Sequence, residues 1–150
     1  VKARDIMRKK IITIGKETSL KEAAILMSAN RVSGLPVLDD FERLIGIITD
    51  SDILKYRQKK NLPEYLRLLE SFIEEIDPES IEENIRVILR KKVKDVMTTH
   101  LISVTEETHI GQIISKFAEH HISRIPVVKK NKLVGIIARE DVIKALAEKY

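Results

Sequence analysis

The 150 residues contain no cysteine and no tryptophan, and aromatic side chains make up only 4% of them. Without cysteine there is no disulfide framework, zinc ribbon or thiol nucleophile. Scarce aromatics leave no stacking platform for single-stranded nucleic acid. No run approaches the ~20 apolar residues that span a bilayer, and the start, Val1-Lys2-Ala3-Arg4-Asp5, has no secretory apolar region. A cytoplasmic location, with no membrane partner, is the expectation. Catalytic patterns are missing too: there is no Gly-x-x-x-x-Gly-Lys loop, no His-Glu-x-x-His and no Gly-x-Gly-x-x-Gly. Of the four histidines, His120 and His121 stand in a Glu119-His120-His121 run that suits a helix end, where a cation meets the dipole. Neither a metal set nor a catalytic residue emerges, so the chain reads as a non-enzyme without a cofactor.

What is present is a foldable core. Hydrophobic residues make up 43% of the chain, which excludes a disordered tail. The length suits one domain or two small subdomains and allows burial of roughly 70% of the unfolded surface. Charge is 33% of the composition with a net of +4, and its distribution is uneven. From Asn61 to Leu89 the acids are Glu64, Glu70, Glu74, Glu75, Asp77, Glu79, Glu82 and Glu83, against Arg67 and Arg86 alone. That segment carries −6, so the rest carries +10. Its flanks, Lys55 to Lys60 and Arg90 to Lys94, are basic. A solvated surface or an internal acid–base match accounts for such runs better than nucleic acid does.

A repeat organises the chain. Asp5-Ile6-Met7 returns as Asp95-Val96-Met97, Ile12-Thr13-Ile14 as Ile102-Ser103-Val104, and Glu17-Thr18 as Glu107-Thr108. Ser33-Gly34-Leu35-Pro36-Val37 returns as Ser123-Arg124-Ile125-Pro126-Val127, all at one offset of 90 residues (97 − 7). After a one-residue deletion in a turn, Leu44-Ile45-Gly46-Ile47-Ile48 matches Leu133-Val134-Gly135-Ile136-Ile137, and Asp52 matches Asp141. The chain divides into 1–60, an insertion at 61–92, and 93–150. This is a duplication.

Each copy predicts the same elements. A short strand (Ile11 to Ile14; Leu101 to Val104) leads to a helix, opened in the first copy by Thr18 or Ser19 with Ser19-x-x-Glu22 as a capping box. Leu20, Ala23, Ala24 and Met27 make its apolar stripe, and Ile110, Ile113, Ile114 and Phe117 repeat it. Two strands follow (Leu35 to Leu38 and Leu44 to Thr49; Ile125 to Val128 and Leu133 to Ala138), and a last helix begins near Ser51 and near Glu140. Pro36 and Pro126 suit a strand start or edge. The two copies, each too small to stand alone, should pack about a pseudo-twofold axis. In the insertion, Asn61 and Asp77 are expected N-caps, with Pro63 and Pro78 at or near the first helical position. Leu62, Tyr65, Leu66, Leu69, Ile73 and Ile76 form one stripe, and Ile81, Ile85, Ile88 and Leu89 another. These predict two acidic amphipathic helices.

Chemistry concentrates in Gly46-Ile47-Ile48-Thr49-Asp50-Ser51-Asp52 and in Gly135-Ile136-Ile137-Ala138-Arg139-Glu140-Asp141. A strand glycine admits another backbone or a flat ligand, and a strand-to-helix junction favours an anion. Thr49 and Ser51 add hydroxyls, and Asp52 can accept two hydrogen bonds from a vicinal diol such as a ribose presents. Thr49-x-x-Asp52 is equally a capping-box pattern, with Asp welcome in any first helical turn. Ala138 removes the hydroxyl from the second copy while Asp141 stays, which shifts the balance only slightly. The residues alone leave both readings open.

Together, the order, spacing and duplication of these motifs resemble a tandem pair of CBS (cystathionine β-synthase) domains, over roughly 1–60 and 93–150. The resemblance implies an α/β (α+β) fold of two β-α-β-β-α repeats and a non-catalytic sensor. Its clefts between the copies would take AMP, ADP, ATP, S-adenosylmethionine or methylthioadenosine. It also implies a homodimer that regulates a partner protein. Carried over residue by residue, the ribose-binding acid falls on Asp52 and Asp141, and its hydroxyl on Thr49. The adenine slot falls on Ile14 and Val104 of the first strands and on Leu35, Pro36, Ile125 and Pro126, beside Ser33 and Ser123. A basic residue for phosphate is matched by Arg124 but not by Gly34, and Arg139 adds a second cation to that copy. The Asp52 copy, with its full Thr-x-x-Asp set, is the expected better nucleoside site. Two other classes compete: an interaction module with dead nucleotide sites, and a nucleic-acid regulator using the basic flanks.

Overall fold

The computed structural model describes residues 1–54 and 78–150. Along them the chain forms α1 (Ala3–Ile6), β1 (Ile14–Gly15), α2 (Leu20–Asn30), β2 (Gly34–Leu38), β3 (Leu44–Thr49) and α3 (Asp50–Leu54). After the segment 55–77 come α4 (Pro78–Leu89), α5 (Val93–Val96), α6 (Ile110–His120), β4 (Arg124–Lys129), β5 (Lys132–Ala138) and α7 (Arg139–Lys149). The expected helix over 61–76, the Asp77 cap and the basic run Lys55 to Lys60 lie outside the described residues. Among the described residues no helix is long and apolar enough to cross a membrane.

These elements gather into two compact units that do not follow chain order. One, here the Asp141 unit, comprises Val1–Thr13, Leu38–Ile45 and His100–Tyr150. The other, the Asp52 unit, comprises the described residues of Ile14–Val37 and Gly46–Thr99. Each unit therefore takes the opening segment of one sequence copy and most of the body of the other, with Leu38–Ile45 of the first copy counted in the Asp141 unit.

The short helices α1 and α5 explain this exchange. Each is one turn long and is nucleated by an aspartate at its third position. The Lys2 N–H donates to Asp5 Oδ2 at 2.8 Å, and the Lys92 N–H to Asp95 Oδ2 at 3.2 Å. The helix then zips backbone to backbone onto the loop that precedes the long helix of its unit. In the Asp141 unit the Ala3 N–H donates to the Thr108 carbonyl (2.8 Å) and the Ile110 N–H to Val1 (2.9 Å). In the Asp52 unit Val93 donates to Thr18 (2.8 Å) and Leu20 to Lys91 (2.8 Å). A repeated ion cluster closes each zip. Glu107 takes Lys2 and Arg4, both at 2.6 Å, and Glu17 takes Lys92 and Lys94 at 2.5 and 2.8 Å. The Lys92 and Lys94 ammonium groups hold the Glu17 carboxyl down at about 2.

Behind each short helix a methionine fills the space over the repeated strand glycine. A Cβ on Gly46 would stand 2.6 Å from Met97 Sδ and 3.1 Å from the Thr98 carbonyl oxygen, and Met7 sits likewise against Gly135. The backbone beyond pairs with the same strand, as antiparallel bridges between Ile47 and Thr98 and between Arg8 and Ile136. The room that glycine provides is therefore taken by another segment of this chain. Around α1 in the Asp141 unit, the core is Ala3, Val104, Ile110, Ile113, Ile125, Val127, Ile137 and Val142.

Several expectations are corrected in detail. The strand expected over Ile11 to Ile14 is only Ile14–Gly15, and Leu101 to Val104 forms a single parallel bridge, Val104 to Val127. A four-residue apolar run cannot distinguish a strand from a covered loop. Pro36 lies inside the central strand of the β1-β2-β3 sheet, not at an edge or start. Pro126 is internal to β4, which as one of the two strands of its sheet is an edge strand, as expected, and its carbonyl accepts from the Val104 N–H at 3.0 Å. On α6, Ile110 and Ile113 are buried, while Ile114 is 38% exposed. Ile85 on α4 is also exposed, so that expected stripe is not fully covered.

The Ser19 cap behaves as expected, its Oγ accepting from the Glu22 N–H at 3.1 Å. The one-residue deletion falls where β4 and β5 join through Lys130 and Asn131, both with positive φ (51° and 65°), as a two-residue hairpin turn requires. The longer first turn is organised by Asp39, whose Oδ1 accepts from the Phe41 and Arg43 N–H groups.

Two outcomes follow for stability. Gly135→Ala should cost about 1–3 kcal/mol by overpacking against Met7, read as a lower urea midpoint. The depressed Glu17 carboxyl stabilises the fold above its unfolded value near 4.5, and that contribution is lost as pH falls through about 2. Glu17→Gln should therefore flatten the decline in stability between those two pH values in urea titrations.

Candidate functional site

Each unit carries its own copy's candidate residues, and the polar ones gather around the strand-to-helix junction. In the Asp52 unit, β3 ends at Thr49 and α3 begins at Asp50. The Thr49 N–H donates to Asp52 Oδ2 at 3.0 Å, and the Asp52 N–H donates to Thr49 Oγ1 at 3.2 Å. The capping box is thus formed, and it leaves Oδ1, the second oxygen of a carboxylate that is only 7% exposed, outside the box. That oxygen accepts the Thr98 hydroxyl at 3.0 Å. Ser51 is exposed beside it, with its N–H on Asp50 Oδ1. The Ser33 carbonyl accepts the Asp50 N–H at 2.8 Å, which ties the start of β2 to the junction.

The Asp141 unit repeats the frame with different chemistry. The Ala138 N–H donates to Asp141 Oδ2 at 2.8 Å, and with no hydroxyl at 138 only this half of the box exists. Arg139 N–H reaches the Ser123 carbonyl at 3.3 Å, and its Nε holds the Ile122 carbonyl at 2.8 Å. The β4–β5 register sets half-buried Arg124 opposite Ala138. The outward Oδ1 of Asp141 accepts Arg8 Nε at 2.8 Å, and the same guanidinium pairs with Glu140. Glu140 and Asp141 together raise the Arg8 guanidinium above its ordinary range. Arg8 and Asp141 line an open groove of about 630 Å³ that also includes Asp5, Lys144 and Glu148.

The apolar candidates stand in a different position from the polar ones. Ile14, Val104, Leu35, Pro36, Ile125 and Pro126 are all buried. Val104 also spends both backbone groups, its N–H on Pro126 and its carbonyl on Val128. A second cavity of about 320 Å³, between Asp39, Arg43 and Asn131, contains none of the candidate residues. Among the described residues no group of three or more His, Asp or Glu side chains could hold a metal ion. His120 closes α6 and His121 caps it with a left-handed φ of 51°, a helix-end role.

Two residues that sequence reasoning did not single out touch the paired carboxylates: Arg8 and Thr98. They occupy equivalent places, each directly after the repeated Asp-x-Met. The signal was available in the offset of 90, but only the exchange of segments reveals what these positions face.

Comparison with known proteins agrees with this architecture. The CBS domain family matches residues 3–59 and 93–148. An uncharacterized protein of Methanocaldococcus jannaschii is 34% identical over 151 residues, which covers 95% of this chain and 89% of that protein. The inosine-5'-monophosphate dehydrogenase of the same organism is 28% identical, but the match covers 23% of that enzyme's length. The structure of CBSX2 in complex with AMP superimposes with a TM-score of 0.73 at 27% identity, covering 98% of this chain and 96% of that one. Two family matches, placed on the two sequence copies and joined to this fold, mean that the chain belongs to the CBS domain family as a CBS domain pair.

Proposed function

We propose that this chain is a non-catalytic regulatory module that binds an adenosine-containing ligand and transmits its occupancy to a partner protein in the cytoplasm. The reading rests above all on the paired junctions, where a sheltered aspartate keeps one oxygen directed away from its own capping bond. A ribose diol is matched to such an oxygen, since a hydrogen bond to a charged acceptor contributes ~1.5–3 kcal/mol. The AMP complex of the similar CBSX2 supports the ligand class. Thr49, Ser51 and Asp52 would serve one ligand, with Ser33, Leu35, Pro36 and Ile14 forming the frame behind them. Asp141, Arg124 and Arg139 would serve another, framed by Ser123, Ile125, Pro126 and Val104. The Asp52 site, with its hydroxyl-bearing box, is the stronger of the two in this reading.

Pairing with a second copy belongs to the same proposal. Ile25, Leu54, Ile114 and Ile143 are 56%, 80%, 38% and 64% exposed on α2, α3, α6 and α7. Each unit thus exposes two large apolar side chains on its helices, which supports association through those helices. A competing reading, an interaction module whose nucleotide sites no longer bind, draws support from the guanidinium already seated on Asp141.

A thermal-shift panel of AMP, ADP, ATP, S-adenosylmethionine and methylthioadenosine separates these readings. A ligand at 100 times its dissociation constant stabilises by ~2.7 kcal/mol. At least one compound should raise the melting temperature. The 2′,3′-dideoxy analogue of AMP should not, and Asp52→Ala should remove most of the effect. No shift with any compound would favour the interaction module. Sedimentation velocity should give a dimer mass that Ile143→Asp reduces, whereas a monomer in the parent protein would dismiss the pairing.

A further inference from the structure

The two carboxylates share a frame but not an outward partner. Position 98 places a neutral hydroxyl on Asp52 Oδ1, and the equivalent position 8 places a guanidinium on Asp141 Oδ1. A hydroxyl can rotate to donate elsewhere when a ligand arrives. The guanidinium is held at two points, by Asp141 through Nε and by Glu140 through a terminal nitrogen. Asp141 itself is only 13% exposed, so its bond to Arg8 is sheltered from solvent screening on one side. Its other oxygen is committed to the Ala138 N–H. The oxygen that Arg8 holds is therefore the one a diol would need.

Building on the adenosine-ligand reading above, we propose that Arg8 is a latch on the Asp141 site. Its guanidinium bridges Asp141 and Glu140 and withholds the carboxylate oxygen from a ribose diol, so that ligand must displace Arg8 before it binds there. Arg8, Glu140 and Asp141 all line one open groove of about 630 Å³, so the bridge is reachable from solvent on that side. The latch is carried by the opening segment of one sequence copy and acts on the acid of the other, so whatever moves α1 also moves the latch. Arg8 is thus a specificity residue of the Asp141 site.

The test is AMP titration calorimetry on the full chain, with Asp52→Ala as the background so that the Asp141 site reports alone. In that background Arg8→Thr, which copies the residue at 98, should tighten AMP binding at least about fivefold. Adding Asp141→Ala should cancel the gain, which a merely structural effect of Arg8 would not do. Glu140→Ala, at an exposed position, releases the other end of the bridge and should give a smaller gain in the same direction. Unchanged or weakened binding in both the Arg8→Thr and Glu140→Ala proteins, with the parent chain still binding AMP, would overturn the latch and leave the regulatory reading standing. If neither the parent chain nor the Arg8→Thr protein binds AMP or any other compound of the panel, both the reading and the latch fall.

Discussion

The fold depends on one packing constraint: a methionine from the start of each sequence copy must lie over the strand glycine of the other. Gly46 and Gly135 have no side chain, and the space above them is occupied by Met97 and Met7. Because that contact is close, the backbone on either side is drawn in as well. The bridges from Ile47 to Thr98 and from Ile136 to Arg8 follow directly. On the other side of each methionine, the one-turn helix zips onto the loop before the long helix, and Glu17 or Glu107 clamps it with two cations. A four-residue helix has no stability of its own. It exists here because an aspartate caps it, a backbone zip anchors it and a buried residue fixes it, Ala3 in one unit and Val93 in the other.

The same constraint composes the candidate sites. The residue after each methionine is carried to the junction of the strand that the methionine covers, next to the aspartate of the other copy. Duplication supplied two similar frames, and at one equivalent position a Thr98 hydroxyl meets Asp52 where an Arg8 guanidinium meets Asp141. The loss of the box hydroxyl at Ala138 and the gain of Glu140 opposite Ser51 act in the same place.

Much of this was legible in the residues. Helical stripes, hairpin strands and the deletion in the second turn could be placed because side-chain periodicity and turn chemistry act locally. Strand β3, Leu44–Thr49, falls where the apolar run predicted it. The first strands come out shorter than expected because Ile11 to Ile14 and Leu101 to Val104, four residues each and interrupted by Thr13 and Ser103, are too short to show a period. The helices α1 and α5 were not foreseen, since one turn is too short for a stripe and only the Asp at the third position announces it. Arg8 and Thr98 were passed over for a related reason: nothing near them in sequence is their partner, and Asp141 lies 133 residues from Arg8.

The opening absences also take on a more definite meaning. A chain without cysteine or stacked aromatics builds its two candidate sites from a few carboxylates, hydroxyls and guanidinium groups at the strand-to-helix junctions. The sequence alone determined the duplication, the element types and the pair of acids, because repeats, periodicity and capping are properties of neighbours along the chain. The tertiary structure decided which copy's opening segment meets which acid, and hence that one carboxylate faces a hydroxyl and the other a guanidinium. That assignment depends on a long-range exchange of segments, and an exchange leaves no periodic trace in the residues that take part in it.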